Sequence, residues 1–354
     1  MFPALTTFLL LANGGFRVEV LAVGLEVPSG LAFLSREDCL VAERPSGRLT
    51  RIELESGEKT VIHGAPPVYG RGDGGLLDVA LHPEFEENGV LYLAYSVRVE
   101  GGTTTVLDRA RLEEDRLADL ERLFTAKPPV ESDAHFGSRI VLEDGYLFLG
   151  IGDRDRRELA RDLRVHHGKI LRLHDDGRVP EDNPFVGQEG ALPEIWSFGH
   201  RNPQGLAFHP ETGELFEHEH GPKGGDELNV IRPGRDYGWP VITYGREYTG
   251  EPVGDGITHH EGMEQPLYQY TPSIAPSGMD FYTGAAFPDW RGNLFLGGMA
   301  LRHLNRLTLE GGRVIGEERL LADERWRVRV VRQGRDGLLY VGVDEGKLVR
   351  LRPR

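Results

Sequence analysis

Cysteine is almost missing from this chain: Cys39 is the only one in 354 residues. A lone thiol excludes an internal disulfide and leaves no metal-thiolate or dithiol redox motif. An inert, buried thiol is the expectation for Cys39. Positive charge is outnumbered, with 41 Lys and Arg against 56 Asp and Glu, and the formal net charge of -15 makes nucleic acid and anionic membrane surfaces poor partners. Lysine is much rarer than arginine, so any cluster of arginines stands against the overall field. Long hydrophobic runs are absent, and nothing in the body of the chain is long and apolar enough to span a bilayer. The apolar start, Met1 to Ala12, is too short to span. It has the character of a secretory h-region without the positively charged lead. Residues 1–15 therefore read either as a signal-like segment or as a retained first strand, and 16–354 as one domain. Helical patterning is confined to a short segment from Arg156 to Arg164.

What is present is turn chemistry, with 47 Gly and 22 Pro beside 39% hydrophobic residues. One phrase recurs six times: a small residue, an apolar strand, a Gly-bearing turn, a second apolar strand, and often a third with alternating Arg and Leu. It is clearest in Ser29-Gly30-Leu31-Ala32-Phe33 followed by Cys39-Leu40-Val41-Ala42-Glu43 and Gly47-Arg48-Leu49. It returns at Gly75-Leu76-Leu77, Gly137-Ser138-Arg139, Gln204-Gly205-Leu206, Ser277-Gly278-Met279 and Val328-Arg329-Val330. Gly-bearing turns between apolar runs are hairpin signals. A single small sheet cannot bury both faces, whereas a ring of six can. The expected fold is all-β, a six-bladed β-propeller of four-stranded antiparallel blades.

The densest polar stretch runs from Trp196 to Asn229 and includes Gly199-His200-Arg201-Asn202-Pro203-Gln204-Gly205. Its second half, His218-Glu219-His220-Gly221-Pro222-Lys223-Gly224-Gly225-Asp226-Glu227-Leu228-Asn229, reads as Gly- and Pro-punctuated loop. Such loops on a rigid scaffold are where sites form. Carbonyls of the Gly221-Pro222 turn, with Asp226 and Glu227 beyond it, are hard-oxygen ligands suited to Ca²⁺. His218 and His220 have a spacing that also admits a transition metal, or one inward and one hydrogen-bonded histidine. His135 directly precedes an innermost strand, at the channel mouth, where a neutral imidazole can act as a general base. Asp153 follows the second strand of the same blade and is placed to orient it; either residue can equally be structural. Arg327 and Arg329 alternate onto one strand face. With Arg201 they can form a guanidinium cluster matched to planar carboxylates, or they can be solvated strand edges.

Taken together, these motifs resemble the soluble quinoprotein sugar dehydrogenases, the pyrroloquinoline quinone (PQQ)-dependent aldose dehydrogenases. The resemblance is carried by Gly74-Gly75-Leu76-Leu77-Asp78-Val79-Ala80-Leu81-His82-Pro83, His135-Phe136-Gly137-Ser138-Arg139, the two loops just quoted, Tyr237-Gly238-Trp239-Pro240 and Ser273-Ile274-Ala275-Pro276-Ser277-Gly278. It implies that His135 is the base with Asp153 as its partner. It implies cofactor contacts at Asp73, Arg201, Asn202, Tyr248, Met299, Ala300, Arg327 and Arg329. Gly221 and Pro222 match the turn that holds a catalytic Ca²⁺, and Glu227 and Tyr237 a separate structural Ca²⁺ site. Two departures stand out. Asp73 replaces a Gln common among relatives, and Gly298-Met299-Ala300 lacks the lysine of the glucose-specialised branch. Together they predict looser quinone binding and a broader sugar range. The implied activity is oxidation of an aldose to its lactone, with electrons passed to an external acceptor, by a periplasmic or secreted monomer or weak dimer. Two other readings of the propeller are a Ca²⁺-dependent lactonase-type hydrolase and a non-enzymatic binding module.

Overall fold

Each copy of the repeated phrase folds as one antiparallel sheet. The computed structural model describes residues 15–354, so the signal-like stretch lies outside the described residues. After β1 (Phe16–Val23), blade one is β2 (Pro28–Phe33), β3 (Asp38–Glu43), β4 (Arg48–Glu53) and β5 (Lys59–Ile62). Blade two is β6 (Leu76–Leu81), β7 (Val90–Val99), β8 (Gly102–Glu113) and β9 (Arg116–Thr125). Blade three is β10 (Gly137–Glu143), β11 (Tyr146–Ile151), β12 (Lys169–His174) and β13 (Ile195–Phe198). Blade four is β14 (Pro203–Phe208), β15 (Leu215–Glu219), β16 (Asp226–Ile231) and β17 (Tyr268–Tyr270). Blade five is β18 (Pro276–Phe281), β19 (Leu294–Gly298), β20 (His303–Glu310) and β21 (Arg313–Leu320). Blade six is β22 (Val328–Gln333), β23 (Leu339–Val343) and β24 (Lys347–Pro353), completed by β1, which pairs with β24 from Phe16↔Pro353 to Val23↔Lys347. The six first strands, β2, β6, β10, β14, β18 and β22, contact one another in a closed ring around the channel. The expected six-bladed propeller is the fold.

The strands are buried on both faces because each blade is packed between two others. In β2 and β3, Leu31 and Val41 join the apolar layer shared with blade six, whereas Ala32 and Leu40 join the layer shared with blade two. This is the period-two alternation of a strand used twice over. Removing each Leu or Val side chain of this kind from water stabilises the fold by about 1.5–3 kcal/mol. Cys39 is buried in the first of these layers, and burial pushes its thiol up, as expected of an inert thiol.

Two local expectations are corrected. Between Arg156 and Arg164 only a single 3₁₀ turn forms, at Arg157–Leu159. The carbonyls that a longer helix would use are taken elsewhere: those of Leu159 and Ala160 accept from the Lys169 ammonium, and that of Ala160 also from the Gly199 N–H. The stretch from Asp226 onward, read as loop, is strand β16, because Gly224 and Gly225 complete the turn and Asp226 already pairs with Tyr270.

All six inner strands share one irregularity, a register shift within their first few residues. A bulge re-aims the side chain it leaves unpaired. The residues skipped include Ser29, Leu77, Arg139, Gln204 and Arg329, and all five line the same end of the channel.

Candidate active site

That end of the channel is a cleft of about 350 Å³. Ten of the residues expected at the site line it: Asp73, His135, Arg201, Asn202, Gly221, Pro222, Tyr248, Met299, Arg327 and Arg329. Tyr248 stands at the lip, 72% exposed, on the long insertion between β16 and β17. Ala300 is not brought into the cleft. Backbone alternation just beyond β19 buries Met299 and leaves Ala300 exposed at the following turn. Asp153, Glu227 and Tyr237 lie behind the cleft wall.

His135 and Asp153 are brought together as expected. His135 Nδ1 is 2.7 Å from Asp153 Oδ1, and Asp153 is 1% exposed. The second carboxylate oxygen of Asp153 accepts from Trp239 Nε1 at 2.8 Å. A buried carboxylate on Nδ1 fixes the ring proton there and leaves the Nε2 lone pair free to accept a proton. The backbone of His135 is left-handed, at φ 51°, an unusual conformation for a non-glycine residue. Arg154, next to Asp153, supports it. Its guanidinium donates to the carbonyls of Ser132 and Ala134 and to Thr103 Oγ1, and lies 3.3 Å from the centre of the Phe136 ring. One short segment thus orients both the ring and the main chain of His135. Arg154 did not stand out in the sequence, because it looks like an ordinary loop residue until the fold places it, and Trp239 stood out only as part of a motif, with no role attached.

Five arginines line the cleft. Arg327 Nε and Arg329 Nη2 donate to Asp344 Oδ2 at 3.0 and 2.9 Å, Arg329 Nε donates to Oδ1, and Arg327 also reaches the Met299 carbonyl at 3.2 Å. Burial disfavours the Asp344 charge, but the bonds from Arg329 and Arg327 outweigh it and hold the carboxyl below its ordinary range. Arg201 donates to the carbonyls of His220 and Gly221, both at 3.0 Å. Arg139 lies deepest, bonded to Asp78 and to the carbonyls of Ser29 and Gln204. Arg44, which the sequence reading passed over, faces Asp73 at 3.9 Å. Asp73 also accepts from the His135 N–H at 3.2 Å.

The Gly221-Pro222 turn is shaped by Asp226 rather than completed by it. Asp226 Oδ1 accepts from the Gly221 N–H, and Oδ2 accepts from Ser273 Oγ and the N–H groups of Ile274 and Ala275. A side chain at 221 would meet the Gly224 carbonyl at 2.2 Å, so only glycine fits. Behind this turn Glu227 and Tyr237 line, with Glu219, a small space of about 10 Å³, which is room for one water or one ion. The Tyr237 hydroxyl faces away, donating to the Val230 carbonyl at 2.6 Å, which leaves the main-chain oxygen as the ligand this residue has to offer. Burial and then the neighbouring Glu219 push the Glu227 carboxyl well up. His200, Glu217 and Glu219 form an adjoining buried group, with ligand atoms within 4.8 Å of one another. The two histidines with metal-like spacing do not join it: His218 packs on Gly205, where a Cβ would meet Nε2 at 2.2 Å, and His220 Nε2 contacts the Pro276 carbonyl at 2.7 Å.

Under Asp153, His167 is buried and its imidazole is pushed down to about 3 by burial and then by Arg154. A histidine whose folded value lies below its unfolded one gives full stability above about pH 6.5, and that contribution is lost as the pH falls toward the folded value. The stability difference between the wild type and His167→Gln should therefore shrink by about 1.4 kcal/mol per pH unit between roughly pH 6 and 4. Parallel denaturation curves across that range would refute the assignment.

A six-bladed propeller with a histidine–carboxylate pair and a cationic wall in one cleft has the construction of an enzyme. The chain matches the glucose/sorbosone dehydrogenase family over residues 25–350 and belongs to that family. It is 39% identical to the aldose sugar dehydrogenase YliI of Escherichia coli, over 99% of this chain and 96% of that one. A solved glucose dehydrogenase superposes with a TM-score of 0.92 at 44% identity, covering 95% of this chain and 99% of the other. The PQQ-bound aldose sugar dehydrogenase of Streptomyces coelicolor gives a TM-score of 0.77 at 28% identity, over 97% and 99% of the two chains. The protein is thus a dehydrogenase, and the hydrolase and binding-module alternatives are set aside. Among the described residues no helix is long and apolar enough to cross a membrane.

Proposed function

We propose that this dehydrogenase oxidises aldoses at the anomeric carbon to lactones, with PQQ and Ca²⁺, and passes the electrons to an external acceptor. The observation that carries the reading is the convergence of the His135–Asp153 pair and the guanidiniums of Arg201, Arg327 and Arg329 on one cleft. The donor set fits the cofactor: guanidiniums match its carboxylates, and a turn whose glycine admits no side chain presents carbonyl oxygens suited to Ca²⁺. Arg201, Asn202, Arg327 and Arg329 would hold PQQ, together with Tyr248 and Met299. Gly221 and Pro222 would hold the catalytic Ca²⁺, and Glu227 and Tyr237 a structural one. PQQ, when bound, supplies the two-electron acceptor and Ca²⁺ the Lewis acid that polarises it.

The chain's own part is proton chemistry and positioning. His135 Nε2 takes the proton of the anomeric hydroxyl as C1 loses its hydride, so the C1–O bond becomes a carbonyl. Asp153 stabilises the imidazolium that results, and Trp239 keeps Asp153 in place. The reading carries with it action as a monomer or weak dimer in a periplasmic or secreted location, supported by the signal-like character of Met1 to Ala12.

Dye-linked oxidation of a panel of aldoses tests this directly. Activity should appear only when PQQ and Ca²⁺ are both added and should disappear on chelation. The cofactor at a hundredfold excess over its Kd should also stabilise the fold by about 2.7 kcal/mol. Absence of both activity and a PQQ-induced rise in Tm would overturn the proposal.

A further inference from the structure

Of the guanidiniums in the cleft, four are committed to protein acceptors. Arg139, Arg201, Arg327 and Arg329 each make at least two hydrogen bonds to carboxylates or carbonyls. Arg44 differs. Its nearest counter-charge is Asp73 at 3.9 Å, beyond hydrogen-bond range, and its Nε is buried without a partner. Its side chain is only 18% exposed. A desolvated donor left unpaired costs about 1–3 kcal/mol, more when charged, so such a group calls for an acceptor from outside the protein.

The backbone around Arg44 is fixed by the propeller itself. Its N–H donates to the Val27 carbonyl at 3.2 Å and its carbonyl accepts from Leu76 at 2.9 Å, which ties it to the starts of blades one and two. Gly75, at φ 137°, lies so close that a Cβ would meet the Arg44 carbonyl at 1.8 Å. The guanidinium is therefore held at the rim between Asp73 and the Arg327–Arg329 pair. Burial and then Arg329 lower its pKa to about 10, which leaves it charged at neutral pH.

We infer that Arg44 is a further anion-binding residue of the cleft, its guanidinium pairing with a carboxylate of the bound quinone in competition with the carboxylate of Asp73. This rests on the proposed PQQ reading. The inference gives Asp73 a definite role: its carboxylate holds Arg44 at 3.9 Å but does not bond it, so the cation stays available while its charge is partly offset. Arg44 thus recovers some of the affinity that a carboxylate at 73 would otherwise remove.

The test is a titration of the Ca²⁺-loaded apoprotein with PQQ, followed by intrinsic fluorescence, for the wild type, Arg44→Gln, Asp73→Asn and the double variant. Arg44→Gln should raise the Kd by 10- to 100-fold while leaving the Tm of the unliganded protein unchanged or higher. Asp73→Asn should tighten binding several-fold in the wild-type background and by at least as much when Arg44 is glutamine, because the carboxylate then repels the cofactor with no cation to offset it. A wild-type Kd for Arg44→Gln would overturn the inference and leave the PQQ reading standing. So would a marked loss of unliganded Tm, which would make Arg44 a structural residue. Failure of the wild type itself to bind PQQ would instead remove the reading on which the inference rests.

Discussion

Replacing His135 with asparagine is expected to lower kcat for aldose oxidation by about 10²- to 10⁴-fold, the usual contribution of a positioned general base. Asparagine is the appropriate substitute because it accepts the left-handed backbone of position 135 more readily than most residues. It also keeps a polar group opposite Asp153, so the buried carboxylate retains a donor. The Kd for PQQ should stay within a few-fold of the wild type, since the guanidiniums proposed to hold the cofactor are on other blades. The acid-side rise in kcat/KM that a neutral imidazole requires should vanish. A loss of kcat smaller than tenfold would mean that another group takes the proton.

The second large effect is expected at the floor of the cleft. Arg139 is 6% exposed and bonds Asp78 Oδ1 at 3.0 Å, the Ser29 carbonyl at 2.9 Å and the Gln204 carbonyl at 3.1 Å. Asp78 in turn accepts from the N–H groups of Val79 and Ile140. This one ion pair joins the inner strands of blades one to four. Burial lowers the pKa of Arg139, and Asp78 only partly restores it. Breaking the pair from one side leaves a buried charge without its partner, which typically costs about 3–5 kcal/mol. Arg139→Leu should be destabilised by that amount in a denaturant titration. The double variant Arg139→Leu/Asp78→Asn should lose less than the sum of the two single changes, because no orphan charge remains. A loss below about 1 kcal/mol for Arg139→Leu would show that the channel relaxes around the missing guanidinium.

The blades were legible because their turns are: Asp144-Gly145 and Asp336-Gly337 sit between apolar runs of strand length, and both glycines adopt the positive φ those turns need. The completion of blade six was not legible, since β1 and its partner β24 lie at opposite ends of the chain and a local pattern carries no information about such a pairing. At the site, polar residues in Gly- and Pro-rich loops announced themselves, as with His135, Arg201 and the Gly221 turn. Arg44 and Asp344 did not, because each directly follows a strand, after Glu43 and Val343, where a charged residue reads as a solvated turn. The inner-strand bulges were equally hidden. They alter register without altering composition, yet they turn Arg139, Gln204 and Arg329 toward the ligand space.

The pairing of Phe16 with Pro353 also sets an order of events in folding. Five blades close on themselves from contiguous sequence and can form before the ring is complete. The strand at Phe16–Val23 has its partner only when Lys347–Pro353 folds against it, so its edge stays open until that pairing forms. Until then blades one and five each present an apolar face intended for blade six. The partly assembled chain is therefore most exposed to aggregation until Lys347–Pro353 is in place. Deletion of the last seven or eight residues should act on yield and solubility more than on any contact within the catalytic cleft.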